Sequence, residues 1–93
     1  MDKPNDKYFI ALSAQLKNIM EQKNIEVADI AAAANVDRKQ IYRLINNENV
    51  PKITTIVRII LALGLEPKDF FNFAFDFKSY SQEQKIVKIK HKT

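Results

Sequence analysis

Cysteine is absent from the 93 residues, so no disulfide, iron–sulfur cluster or thiolate zinc site can form, and a reducing cytoplasm is the expected setting. A single glycine, Gly64, leaves no material for a glycine-rich phosphate loop. The single histidine, His91, cannot make a metal site alone and reads as a solvated tail residue. No apolar run approaches the ~20 residues of a membrane span, and the opening MDKPNDK lacks the basic-then-apolar order of a signal peptide. No carboxylate pair, nucleophile–base set or metal cluster can be picked out. The expectation is a cytoplasmic protein without catalytic role, cofactor, metal or membrane partner.

What is present suits one soluble domain with a modest core: 46% hydrophobic and 28% charged residues. The net charge is +4, but it is unevenly placed. Residues 8–75 are almost balanced, whereas residues 76–93 carry five lysines against Asp76 and Glu83. A solvated end and a DNA-backbone arm both remain open for that tail.

Phe9, Leu12, Leu16, Ile19 and Met20 recur at three- and four-residue steps, which predicts an amphipathic helix over residues 6–24. A short alanine-rich helix follows over 26–34, with Val27, Ile30, Ala31 and Ala34 on one side. Asn35 can end it, because asparagine tolerates a left-handed backbone better than other non-glycine residues. Asp37 and Gln40 have capping-box spacing for the next helix. Two short helices across a turn of about three residues make the layout of a helix-turn-helix.

The helix predicted over 38–46 has two unlike sides. At about 100° per residue, Arg38, Lys39, Tyr42, Arg43 and Asn46 share one sector, and Ile41, Leu44 and Ile45 share the other. Residues 46–51 then read as a polar loop closed by Pro51. A fourth helix is predicted over 54–63, carrying Ile56, Val57, Ile59, Ile60 and Leu63, with Gly64 as its left-handed stop. Pro67 suits the first position of a short fifth helix. Phe71, Phe73, Phe75 and Phe77 alternate as in a strand, while 67–73 reads as helix; the expectation is helix to about Phe73 and extended chain beyond. Residues 85–90 (KIVKIK) fit a short strand or a frayed tail.

These residues resemble a family. Residues 16–71 are similar to the lambda-repressor-like helix-turn-helix domain of the Cro/cI (XRE) regulators. The match is carried by Ile30-Ala31, Asn35-Val36, Ile41 with Arg43, Pro51, Ile56, Ile59, Ala62-Leu63-Gly64 and Asp69-Phe70-Phe71. The sequence departs from the family pattern at Val27 (usually glutamine), Asn35 (usually glycine), Glu26 (usually a capping Ser or Thr), and Ile45 and Asn47 (usually glutamate and glycine).

The resemblance implies an all-α, five-helix domain over 6–75. A basic tail, 76–93, would be extended or β and serve dimerisation or partner binding. It further implies a sequence-specific regulator of transcription that binds double-stranded DNA as a homodimer. By that resemblance Arg38, Lys39, Tyr42 and Arg43 are the base-reading candidates, and Asn46, Asn47 and Lys52 the candidates for phosphate contacts. Gln40 is expected to cap rather than read, and residues 70–77 are the candidate dimer contact. The alternative function is an antitoxin that represses its own promoter and binds a partner toxin through the tail.

Overall fold

Six α-helices occupy the computed structural model of the chain, which describes residues 4–90. They are α1 (Lys7–Lys23), α2 (Val27–Ala34), α3 (Arg38–Ile45), α4 (Ile53–Ala62), α5 (Pro67–Phe70) and α6 (Phe77–Glu83). No strand occurs among the described residues. His91 lies outside them.

The apolar stripes found in the sequence close on one another. Phe9, Leu12, Leu16 and Ile19 of α1 meet Ile30 and Ala34 of α2, Ile41 and Leu44 of α3, and Ile56, Ile59 and Ile60 of α4, with Leu63 and Phe70 sealing the end. Burying one such side chain fully contributes about 1.5–3 kcal/mol, so this one cluster is the main cohesive element. Two side chains tie α1 to its neighbours through backbone. Ser13 Oγ donates to the Leu44 carbonyl at 2.9 Å, and Gln15 Nε2 donates to the Phe70 carbonyl at 3.1 Å.

The turn between α2 and α3 forms as its residues require. Asn35 closes α2 in the left-handed region, at φ 55°, and the Val36 N–H donates back to the Ala31 carbonyl at 3.1 Å. Gly64, at φ 79°, ends α4 in the same manner. The capping box expected at α3 is incomplete. The Asp37 carboxylate accepts from the Lys39 N–H at 2.9 Å, but Gln40 returns only its own backbone N–H to the Asp37 carbonyl. A reach-back forms one helix earlier instead, where Asp29 Oδ2 accepts from the Glu26 N–H at 2.9 Å. Glu26, a weak cap by residue type, is thereby offset by the aspartate three residues on.

The C-terminal segment differs from expectation. α5 ends at Phe70 rather than Phe73, and a sixth helix stands where extended chain was predicted. The alternating phenylalanines do not pleat into a strand because Tyr8 collects them. Its ring centroid lies 5.8 Å from that of Phe73, 5.0 Å from Phe75 and 5.6 Å from Phe77, within the range of favourable aromatic pairs. α6 starts at Asp76, whose carboxylate accepts from the Ser79 N–H at 3.0 Å and from Ser79 Oγ at 2.7 Å. Those two bonds hold the Asp76 carboxyl below its ordinary value. Residues 86–90 have no regular structure.

Candidate nucleic-acid interface

α3 is fixed from behind and bare in front. Ile41 and Leu44 are 0% and 1% exposed, whereas Arg38, Lys39, Gln40, Tyr42 and Arg43 are all exposed. The helix cannot roll without pulling Ile41 and Leu44 out of the core, and the Ser13–Leu44 bond pins its last turn to α1. Its front face is therefore held at a constant angle to the body of the protein.

The four nominated base-reading residues stand together on that front. Arg38 occupies the N-terminal tip, Lys39 follows on the flank, and Tyr42 and Arg43 lie one turn on. The only ion pairs among the described residues are Lys7–Glu83 and Lys68–Glu66. Arg38, Lys39, Arg43 and Lys52 consequently have no carboxylate partner there, and their charge is available to an anion from outside. An α-helix with side chains is about 10–12 Å across, which matches the ~12 Å major groove of B-DNA.

The backbone candidates divide. Asn46 is exposed and closes α3, its N–H donating to the Tyr42 carbonyl at 2.9 Å. Lys52 is exposed at the cap of α4. Asn47 instead takes a left-handed turn at φ 57°, and its side-chain oxygen is enclosed without a hydrogen-bond donor. The turn uses it first as a backbone element, in the place the family usually gives to glycine.

One residue was given the wrong task by its spacing. Gln40, expected as a cap, has an exposed side chain that lines a hollow with Arg43, Asn49, Val50, Pro51, Lys52 and Thr55. Its position on the helical wheel, next to Arg43 at the rim of the polar sector, is the signal that could have placed it. The hollow joins the end of α3 to the start of α4.

A buried helix back, a fixed polar front and a tight preceding turn define a helix-turn-helix DNA-binding protein. The profile of the Cro/C1-type helix-turn-helix DNA-binding domain matches residues 15–76, two thirds of the chain, and the chain belongs to that family. It is a DNA-binding transcriptional regulator.

Solved structures of similar fold include the restriction-modification controller protein C.AhdI from Aeromonas hydrophila, at 17% identity over 68% of this chain and 96% of that one, with a TM-score of 0.63. The wild-type restriction-modification controller protein C.Esp1396I is similar at 22% identity over 82% of this chain and 91% of that one, with a TM-score of 0.63. The prophage Lp1 protein 11 is similar at 25% identity over 77% of this chain and 92% of that one, with a TM-score of 0.61. No curated protein sequence matches this chain. Among the described residues, no helix is long and apolar enough to cross a membrane.

Proposed function

We propose that this protein binds a near-palindromic DNA site as a homodimer and regulates transcription from it in the cytoplasm. α3 enters the major groove; Arg38 and Arg43 address neighbouring base pairs, with Lys39 and Tyr42 beside them. Arginine forks match the O6 and N7 acceptors of guanine, each good pair contributing about 1–3 kcal/mol of discrimination. Asn46, Lys52 and, through the turn it forms, Asn47 set the register against backbone phosphates. No catalytic step and no cofactor enters this reading.

The observation that carries it is the α3 front, whose cations have no internal partner while the opposite side is locked in the core. Selection of bound sequences from random duplex DNA tests it, with wild type and the Arg38→Ala/Arg43→Ala variant side by side. Wild type is expected to enrich one motif that the variant relaxes. Equal enrichment, or none from either, overturns the assignment.

A single reading helix covers few base pairs, and two copies would place their helices about 34 Å apart, one turn of DNA. The outer edge of the aromatic cluster, where Phe77 remains exposed, is the candidate contact between copies. A chain truncated after Phe73, checked for helicity by circular dichroism, is expected to sediment as a monomer. A dimer would remove this interface.

A further inference from the structure

Residues 85–90 lie outside the segment matched by the family profile, and their lysines leave a solvated end and a DNA-backbone arm both open. We propose that this segment is a DNA-backbone arm, its lysines resting on phosphates that flank the base pairs read by α3. The inference rests on the DNA-reading proposal and extends the contact beyond the helix-turn-helix.

The arm leaves the protein in a set direction. α6 is closed by Lys85 in the left-handed region, at φ 59°. The Lys85 N–H donates to the Gln82 carbonyl at 3.2 Å and the Ile86 N–H to the Ser81 carbonyl at 2.9 Å, the paired bonds of a Schellman-type helix stop. α6 is moored to the start of α1: Tyr80 Oη donates to Asp6 Oδ2 at 2.6 Å, and Lys7 Nζ meets Glu83 Oε1 at 2.6 Å.

That mooring lies on the flank of the DNA-facing loop. Asp6 and Tyr8 line a hollow with Val50, Pro51 and Ile53, and Val50 and Pro51 also wall the hollow that holds Gln40, Arg43 and Lys52. Asp6, which moors α6, thus borders the same hollow as the loop between α3 and α4. Six extended residues span about 20 Å, more than half of the ~34 Å pitch of the duplex, so phosphates beside a half-site are within reach.

Charge selects the partner. Lys85, Lys88 and Lys90 are exposed and have no carboxylate partner among the described residues, because Glu83, the nearest acid in the chain, is engaged by Lys7. Ile86, Val87 and Ile89 are also exposed, the last two at 87%, which raises a second copy of the chain as the competing partner. In an extended segment side chains alternate between faces. Ile86, Lys88 and Lys90 then share one face, and Lys85, Val87 and Ile89 the other. Neither face is apolar throughout, so burying either against a partner's apolar groove would strip water from a lysine. Phosphates instead pair with the lysine ammonium groups, which stay hydrated at the DNA surface.

The test uses the full-length chain carrying Lys85→Gln, Lys88→Gln and Lys90→Gln together, with Arg43→Ala as a separate variant. Binding to a mixed-sequence duplex of about four helical turns is followed by fluorescence anisotropy over a series of salt concentrations, and mass by sedimentation. Each phosphate covered contributes about 0.9 to the slope of log affinity against log salt. The triple variant is expected to lose up to ~2.7 of that slope per protomer, or ~5.4 for the bound homodimer, with its mass unchanged. An unaltered slope in the triple variant, while Arg43→Ala still weakens binding, overturns the arm and leaves the reading helix standing. Loss of dimer mass in the triple variant also overturns it, by assigning the segment to a second copy. Failure of wild type to bind duplex at low salt overturns both proposals.

Discussion

The Ser13 hydroxyl, 1% exposed, donates a 2.9 Å hydrogen bond to the Leu44 carbonyl, joining residues 31 apart. It is the one buried polar residue of the described core, and it lies directly behind the helix that presents Arg38, Lys39, Tyr42 and Arg43. The orientation of the exposed front of α3 is set through the interior as well as by the turn before it.

Ser13→Ala is expected to destabilise the fold by about 1 kcal/mol, the usual net contribution of such a bond. The loss stays small because the Leu44 carbonyl still accepts from the Asn47 N–H at 3.1 Å. Ser13→Leu forces extra volume into the same closed position and should cost about 1–3 kcal/mol. Urea titration followed by circular dichroism measures both, and equal midpoints for the two variants would contradict the closeness of packing described.

Substitutions on the two sides of α3 should separate stability from recognition. Leu44→Ala opens a cavity and is expected to cost about 2–5 kcal/mol of stability. Arg43→Ala, on an exposed face, should leave stability within about 0.5 kcal/mol. Its discrimination between operator and mutated operator should fall by about 1–3 kcal/mol. Thermal melts paired with anisotropy titrations read both quantities. An Arg43→Ala protein that melts normally and discriminates as wild type does would remove Arg43 from the reading set.

Asn35 serves α2 through its backbone, so its replacement should follow conformational cost rather than polarity. Asn35→Gly adopts φ 55° freely and should change stability by only tenths of a kcal/mol, whereas Asn35→Val should lose about 1–2 kcal/mol. Chemical denaturation of the pair gives the comparison, and a more stable valine variant would refute the left-handed turn.

The mooring of α6 should depend on pH at both extremes. The hydrogen bond from Tyr80, followed by that from the Phe9 N–H, holds the Asp6 carboxyl below its ordinary 3.8. Its contribution is therefore present above 3.8 and lost as pH falls through the folded-state value. The same bond raises the Tyr80 phenol above its ordinary 10.0, so the contribution holds below 10.0 and is lost as pH rises through the higher value. Tyr80→Phe should flatten the acid loss. Backbone amide shifts of α6, followed by NMR across both limbs, report it, and identical acid limbs in wild type and variant would show that the bond is not made in solution.

The parts legible in the sequence were those governed by neighbours along the chain. The three- and four-residue spacing of Phe9, Leu12, Leu16 and Ile19 placed α1, the polar and apolar sectors of α3 separated Arg38 from Ile41, and Asn35 and Gly64 marked two helix ends. The fate of residues 71–83 was harder to read. A period of two among phenylalanines has the same pattern in a strand and in a loop wrapped around one ring, and only the position of Tyr8, more than 60 residues earlier in the sequence, distinguishes them. The Asp76–Ser79 cap was present but was masked by that alternation.

Local chemistry alone thus determined which residues of this protein form helices, where two of them turn, and which side of α3 carries donors. Backbone conformation and helical periodicity act over a few residues, and the chain records them directly. Tertiary structure decided that Ser13 braces α3, that Gln40 joins the hollow beside Arg43 instead of capping, and that Asp6 and Lys7 hold a sixth helix against the start of α1. Each of those outcomes depends on contacts between segments far apart in the chain, set by how the helices pack.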